Sequence, residues 1–333
     1  MGKIWPSFGF FLTLAKSNIL FFYSVLLPNY LARFLSLFIF LVLASGCSEF
    51  NAPANNTVQT SQDYVASVDK WHQEREAKLK SPDGWLTLAG LFWLQEGENS
   101  FGSAPNDNLT FPEGRIPGRA GVIQLKGDTV TTSINAGVEV LLQGKPVHEA
   151  LLYTPDMDTV PRLSHGTLTW YVIKRGNRYG IRLRDLQNDA LVHFKGIKRF
   201  PVRAEWRIKA HFVAHPTPKQ IAITNIVGQT SMQDSPGTLI FTLNGQQYQL
   251  DALLEGEELF IIFADKTNGL ETYGAGRYLY ADKPGPDGST VLDFNKASNP
   301  PCDFVSYATC PLPPRQNFLP IMIEAGEKSY GEY

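Results

Sequence analysis

Residues 240–253 read IFTLNGQQYQLDAL, and this stretch decides the fold because it describes a tight hairpin. Asn244-Gly245 suits the positive backbone angles of a type I′ turn, the turn that joins two neighbouring antiparallel strands. The stretch therefore predicts an antiparallel sheet in this part of the chain.

The same pattern continues outward in both directions. Residues 167–185, TLTWYVIKRGNRYGIRLRD, describe a second hairpin with Gly176-Asn177 at its turn. Further short apolar or β-branched runs are GVIQL (121–125), TVTTSI (129–134), GVEVLL (137–142), ELFIIFAD (258–265), RYLYAD (277–282), TVLDF (290–294) and LPIMIEA (319–325). Many short strands with turn residues between them favour a mainly β fold, an antiparallel sandwich or barrel-like sheets, over a βαβ architecture. A shift from charged to apolar residues predicts a subdomain boundary near 195–202.

One long helix is expected, at residues 61–80 (SQDYVASVDKWHQEREAKLK). Asp63 can cap it, and Ser81-Pro82-Asp83-Gly84 ends it. Apolar and long side chains recur at three- to four-residue steps along one face, at Tyr64, Val68, Trp71 and Arg75. The following segment, WLTLAGLFWLQEG, is rich in apolar residues and is expected to be buried.

The N-terminal region predicts an address in the bacterial cell envelope. Residues 34–43, FLSLFIFLVL, form an apolar run of signal-peptide length with Arg33 before it and small residues after it. Cys47 follows, so the segment resembles a lipoprotein signal; a free, structural Cys47 is the alternative. The interpretation is a signal over 1–46, a polar tether over 47–62 and a β domain over 63–333. Ser48 after the lipidated cysteine suggests the outer membrane, facing the periplasm.

Charge and composition argue against several classes of function. The 333 residues carry a net charge of −2 without a basic run, which disfavours nucleic acid as a partner. His211 and His215 lie in a strand-like context, where four residues span about 13 Å, too far to share one ion. No G-x-S-x-G elbow and no complete dinucleotide fingerprint occur. Neither a metal nor a nucleotide cofactor is expected.

Polar side chains are dense between residues 265 and 328, at the ends of apolar strands. The catalytic candidates are Arg277, Asp293 and Glu324, and the ligand-binding candidates are Arg277, Asn295, Lys296 and Asn299. The two prolines after Asn299 stiffen this loop, which suits a ligand site. It equally suits fold closure, in which Arg277 pairs with Asp293 or Glu324 and the Asn side chains satisfy turn backbone.

Two of the three cysteines, Cys302 and Cys310, lie in this same segment. Disulfides persist in exported proteins. A bridge here would close a loop of about nine residues and contribute ~2.5 kcal/mol on the loop-entropy model. Two free thiols are the alternative.

Three stretches closely resemble the bacterial and archaeal family known as domain of unknown function (DUF) 1684. They are GWLTLAGLFWLQEGENSFGS (84–103), ETYGAGRYL (271–279) and DFNKASNPPCDFVSYATCPLPPRQNFLPIMIEAGEK (293–328). The resemblance spans about residues 67–330. It implies no established activity. Asp303 stands where the family pattern usually has Ala, and Ser298 where it often has an aromatic. Relatives without export signals keep the free-thiol reading of the cysteines open.

Two functions are therefore compared. The first is a small-molecule binding or hydrolytic site formed by Arg277, Asp293, Asn295, Asn299 and Glu324, with Arg277 holding an anionic or carbonyl group and a carboxylate as general base. The second is a non-catalytic envelope module, for binding or assembly, anchored to the membrane through lipid on Cys47. The sequence does not decide whether the protein is an enzyme, and it names no substrate.

Overall fold

The computed structural model describes residues 61–331. The predicted signal segment, the lipidation site at Cys47 and most of the tether lie outside these residues. Helix α1 (Gln62–Lys80) confirms the expected long helix, with Ser61 rather than Asp63 at its N-cap. The Ser61 side chain accepts a hydrogen bond from the backbone N–H of Tyr64. Within the described residues, no helix is long and apolar enough to span a membrane.

Two sheets pack face to face in the first half of the described chain. The first contains β1 (Leu88–Trp93), β6 (Leu141–Leu142), β7 (Lys145–Pro146), β9 (Leu163–His165), β10 (Leu168–Arg175) and β11 (Arg178–Asp185). The second contains β2 (Gly97–Gly102), β3 (Leu109–Thr110), β4 (Gly121–Lys126), β5 (Thr129–Ile134) and β8 (Glu149–Tyr153). Phe101 of β2 and Trp170 of β10 meet in the shared core with ring centroids 5.7 Å apart.

The third sheet is nearly closed and barrel-like. In spatial order it runs β16-β15-β14-β13-β12-β17. Its strands are β12 (Arg207–Thr224), β13 (Thr230–Leu243), β14 (Gln246–Glu255), β15 (Glu258–Phe263), β16 (Arg277–Asp282) and β17 (Ser289–Asp293). Buried side chains such as Leu250, Ile261 and Leu279 fill its interior. The fold prediction, mainly β with antiparallel sheets and one N-terminal helix, is confirmed.

Both predicted hairpins are present with the expected turns. Asn244 and Gly245 have φ of 51° and 76° and join β13 to β14. Gly176-Asn177 joins β10 to β11. Two strand predictions are wrong in part or whole. GVEVLL (137–142) forms a strand only at its last two residues, and 319–325 forms none. In the segment 319–325, Pro320 has no N–H to donate to a neighbouring strand. The carbonyl groups of Ile323 and Ala325 accept hydrogen bonds from the buried Arg277 instead of from a strand.

Short helices connect these sheets. They are α2 (Asp189–Val192) and 3₁₀ turns at Trp85–Thr87, Ala204–Trp206, Phe294–Lys296, Pro301–Asp303 and Arg315–Asn317. The segment 195–202, for which a subdomain boundary is predicted, lies between α2 and the 3₁₀ turn that precedes β12. That boundary stays a prediction. By their contacts, residues 61–331 all fall within one compact unit.

Helix α1 packs on the C-terminal loops. Val68 and Leu79 are fully or almost fully buried on its inner face. His72, on the same face, hydrogen-bonds the backbone carbonyl of Asn295 at 3.1 Å. The helix is therefore held by residues more than two hundred positions further along the chain, as the separation of 223 between His72 and Asn295 shows.

Candidate functional site

Arg277, the central residue of the predicted site, lies inside the barrel. Its side chain has 0% exposure and donates from Nη2 to Asp265 Oδ2 at 2.6 Å. It also donates to the carbonyl oxygens of Ala325 and Ile323, at 2.5 and 2.9 Å. Burial lowers the pKa of the guanidinium and the Asp265 carboxylate opposes that shift. These contacts occupy Arg277 in holding the C-terminal segment to the barrel.

Asp293 and Asn295 belong to a separate network at the N-terminus of α1. The Tyr64 hydroxyl donates to Asp293 Oδ1 at 2.6 Å, and Asn295 Nδ2 donates to that hydroxyl at 3.0 Å. Asn295 also exchanges hydrogen bonds with the backbone of Arg203, through its Oδ1 at 3.0 Å and its Nδ2 at 2.9 Å. Burial and the neighbouring Asp293 carboxylate raise the pKa of Tyr64 above its usual range, so its hydroxyl stays a donor. This network fastens α1 to the end of β17.

Asn299 forms a third group with Glu327 and Arg75, two residues that the sequence did not single out for the site. Glu327 is fully buried, pairs with Arg75 of α1, and accepts from the backbone N–H of Asn299 at 2.7 Å. Asn299 Nδ2 donates to Asp303 Oδ2 and to the carbonyl of Lys328, each at 2.7 Å. The remaining side-chain atom, Oδ1, is buried without a partner among the described residues.

The predicted site residues therefore do not line one pocket. Glu324 is about half-exposed and pairs with Arg203 at 3.7 Å. Asp293 and Lys296 line one part of a cleft, and Asn299 lines another. Arg277, Asn295 and Glu324 line neither part. Fold closure, the structural alternative, accounts for the contacts of Arg277, Asn295 and Asn299. Its expected ion pair is wrong, however, because Arg277 pairs with Asp265 and with neither Asp293 nor Glu324.

The cleft itself lies where α1, the first sheet, the barrel and the cysteine loop meet. It has a wide arm of about 780 Å³ and a narrow arm of about 370 Å³. The arms share Arg75, Leu79, Trp85, Glu255, Tyr280 and Ser298, so they form one continuous depression. The narrow arm has the size and the partly apolar lining of a small-molecule site.

Aromatic side chains form one wall of the narrow arm. Phe260 of β15 stacks on Tyr280 of β16 with ring centroids 4.9 Å apart, and its edge contacts Tyr278 at 5.0 Å. Burial raises the pKa of both tyrosines above their usual range, so each hydroxyl remains protonated. The Tyr280 hydroxyl donates to Glu255 Oε2 at 3.0 Å and the Tyr278 hydroxyl to the carbonyl of Pro311 at 3.1 Å.

Arginines stand opposite this wall. Arg182 of β11 lines the narrow arm, is only 5% exposed, and lies over the Trp85 ring with Cζ 5.6 Å from its centroid. Among the described residues it forms no ion pair, and its Nε has no hydrogen-bond partner. Burial lowers its pKa; Tyr171, its cross-strand partner, is the neighbour that favours the charged form. Arg175, at the end of β10, lines the same arm and is exposed.

The cysteine loop closes the narrow arm. Cys302 and Cys310 form a disulfide, as the sequence predicts, with Cα atoms 6.2 Å apart. Cys310 and the neighbouring Thr309 line the arm, as does Pro301 just before the other cysteine. The bridge thus fixes the part of the wall that has little regular structure.

The strand pleat explains which side chains reach the cleft. In β16 the side chains of Arg277 and Leu279 point into the barrel, whereas Tyr278 and Tyr280 between and beyond them line the cleft. In β11 Ile181 belongs to the sandwich core and the next residue, Arg182, to the cleft. The alternation of inward and outward side chains along RYLYAD (277–282) and GIRLRD (180–185) was the sequence signal that could have indicated which residues face the cleft. No local signal places these two strands opposite each other.

No group of three or more His, Cys, Asp or Glu side chains within residues 61–331 is arranged to hold a metal ion. His211 and His215, which the sequence places in a strand, both lie in β12.

Comparison with known proteins supports the family resemblance. Residues 192–328 match the model of the family described as "Protein of unknown function (DUF1684)". This part of the chain belongs to the DUF1684 family. The predicted extension of the resemblance toward residue 67 lies outside that match.

Among solved structures, the chain is similar to the uncharacterized protein from gene locus rrnAC0354 of Haloarcula marismortui, determined by solution NMR. The identity is 32%, and the alignment covers 42% of this chain and 80% of that one, with a TM-score of 0.36. A structure from a study of phosphothreonine-dependent FHA domain interactions is 16% identical over 28% of this chain and 92% of that one, with a TM-score of 0.20. Neither low TM-score supports a conclusion about function. No curated protein matches the chain.

Proposed function

We propose that the protein is a non-catalytic, small-molecule-binding lipoprotein of the bacterial cell envelope. The observation that carries the binding function is the narrow arm of the cleft, about 370 Å³, with the stacked pair Phe260 and Tyr280 on one wall and convergent polar groups on the others. Flat apolar surface beside a few fixed polar groups is the usual composition of a ligand site.

Binding is preferred to hydrolysis because the groups needed for hydrolysis are apart. Arg277, the expected holder of a substrate carbonyl, is buried in the barrel, where its Nη1 and Nη2 groups donate to Asp265 and to two backbone carbonyls. The carboxylate candidates Asp293 and Glu324 lie in different surroundings, one bonded to Tyr64 and the other half-exposed. A general base must lie within hydrogen-bond reach of the group that it deprotonates. Neither the Asp293 nor the Glu324 carboxylate pairs with Arg277, whose carboxylate partner is Asp265.

The binding function can be tested with N-phenyl-1-naphthylamine, a neutral aromatic probe whose fluorescence rises in apolar surroundings. We expect wild-type protein to bind one equivalent. Thr309→Trp, which places a large ring in the narrow arm, should abolish that binding because Thr309 lines the arm. Ser306→Trp is the matched control, since Ser306 is exposed on the same loop and does not line the arm. Equal binding by both variants would contradict a ligand site here.

The envelope address rests on the apolar run at 34–43 and on Cys47, which lie outside the described residues. Lipid on Cys47 would tether the domain to the membrane, and Ser48 supports the outer membrane, facing the periplasm. Cys47→Ala should leave the protein unlipidated and release it into the soluble fraction, as measured by fractionation and intact mass. Unchanged membrane attachment of this variant would contradict the anchor.

A further inference from the structure

Arg182 is a buried cation that lacks an anionic partner. It is 5% exposed, and no carboxylate among the described residues lies within ion-pair distance. Burying a charge without a counter-ion is costly, and buried charges are ordinarily paired. Tyr171 is the neighbour that favours its charged form, and a phenol only partly offsets the lost hydration. The guanidinium therefore faces the narrow arm with unused capacity to bind an anion.

Other arginines near Arg182 increase this excess of positive charge. Arg184 lies two residues along β11, on the same face, and is also buried. Its Nη1 donates to the Gly84 carbonyl at 2.5 Å and to the Thr87 hydroxyl at 2.8 Å, both neutral acceptors. Arg175 and Arg184 each disfavour the charged form of Arg182. A row of cations without carboxylates is stabilised when an anion binds beside it.

The rest of the narrow arm does not cancel this charge. Arg75 is neutralised by its pair with Glu327, so it adds little net charge. Glu255 is the carboxylate that lines the arm, where it accepts from the Tyr280 hydroxyl, whereas both Arg175 and Arg182 line the same arm. The arm therefore keeps an excess of positive charge on the side of the first sheet.

We propose that the narrow arm binds an organic anion, with its carboxylate, sulfonate or phosphate on Arg182 and a flat apolar part against Phe260 and Tyr280. Guanidinium groups bind such oxyanions through two parallel hydrogen bonds. Arg182 lines the arm, has no carboxylate partner among the described residues, and has an Nε–H without an acceptor there. Trp85 also lines the arm, and the contact of Arg182 with its ring helps to hold the guanidinium in place. This inference rests on the proposed binding function and adds the chemical class of the ligand.

The test compares two probes that differ by one charged group. N-phenyl-1-naphthylamine is neutral, and 8-anilino-1-naphthalenesulfonate carries a sulfonate on the same ring system. We expect wild type to bind the sulfonate about tenfold more tightly or better, as a charge-assisted hydrogen bond implies. Arg182→Met should remove that advantage and leave the affinity for the neutral probe within about twofold.

Arg178→Met is the matched control, because Arg178 lies on the same strand but is exposed, over the Trp93 ring, and does not line the narrow arm. It should leave both affinities unchanged. Should Arg182→Met fail to fold, displacement of the sulfonate probe from wild type by benzoate but not by benzamide tests the same point.

The possible outcomes separate the two proposals. If neither probe binds, the binding function itself is overturned. Binding of the neutral probe without a tighter sulfonate, or a sulfonate advantage that survives Arg182→Met, overturns the anion inference while the binding function stands.

Discussion

A guanidinium without solvent contact must find its partners inside the fold, and Arg277 finds them in Asp265 and two backbone carbonyls. Its position in β16 determines this role, since the pleat directs Arg277 into the barrel and its neighbour Tyr278 outward. From sequence alone, an arginine at a strand end in a polar segment can have either of two roles. It can bind a ligand, or it can stabilise the fold through buried hydrogen bonds and an ion pair. The contacts in the structure are those of the second role, stabilisation of the fold.

Replacing Arg277 should therefore reduce stability. Arg277→Met leaves Asp265 buried without its cation, which costs about 3–5 kcal/mol in the free energy of unfolding. Arg203→Met is the control: Arg203 is partly exposed in its pairs with Glu205 and Glu324, and such pairs contribute at most about 1 kcal/mol. Urea unfolding measures both. An Arg277→Met protein with near wild-type stability would contradict this stabilising role.

His72 gives stability a dependence on pH. Burial lowers the pKa of His72 below its ordinary value of about 6.5, although the Asn295 carbonyl and Glu327 partly oppose the shift. Below that ordinary value the unfolded chain binds a proton that the folded protein resists. The contribution is therefore complete at pH above about 6.5 and is lost as pH falls toward the lowered folded value.

Urea unfolding at several pH values between 7.5 and 5.5 tests this dependence. Wild type should lose about 1 kcal/mol more than His72→Gln over this range, because the glutamine amide can still donate to the Asn295 carbonyl but does not titrate. His193→Gln, at an exposed histidine, should behave like wild type. Identical pH profiles for wild type and His72→Gln would contradict the assignment.

At the scale of elements, the cysteine loop depends on a covalent bond for its shape. Residues 302–310 have only one 3₁₀ turn at their start, and their backbone contacts are few. The disulfide closes a loop of about nine residues, so its reduction should lower the free energy of unfolding by ~2.5 kcal/mol. A variant with both cysteines changed to serine should be less stable by a similar amount and insensitive to reductant.

Mass spectrometry of unreduced tryptic peptides provides the direct check on the bridge. Trypsin leaves both cysteines in one peptide, residues 297–315, and before reduction this peptide should be lighter by the mass of two hydrogen atoms than after it. Alkylation of both cysteines without prior reduction would show free thiols, the alternative that the sequence leaves open.

At the scale of the whole molecule, local patterns predicted elements better than their assembly. Asn244-Gly245 and Gly176-Asn177 determine their hairpins through backbone angles, which neighbouring residues alone decide. The segment 319–325 was wrongly predicted as a strand because its apolar residues alternate as in a strand. In the structure, two of its carbonyl groups accept hydrogen bonds from Arg277. That contact joins residues 46 and 48 positions apart, beyond the reach of a local pattern.

The candidate site was harder to predict for the same reason. Polar residue density pointed to 265–328, and that segment does contribute Tyr278, Tyr280 and the cysteine loop to the cleft. Arg182 comes from the first sheet, more than eighty residues before that segment, and nothing near it in sequence shows that it is left without a counter-ion. Whether a buried arginine has a counter-ion depends on how the sheets pack together and not on the sequence of any one sheet.

The contact between Arg75 and Glu327 has a consequence for biosynthesis. Helix α1 is made first, yet the carboxylate that pairs with it is 252 residues further along the chain. Until the ribosome has added residues 304–310 as well, Leu79 lacks Phe304, Val305 and Ala308, which share its apolar cluster. A nascent chain cut short before these residues would keep this face of the helix more accessible to chaperones and proteases.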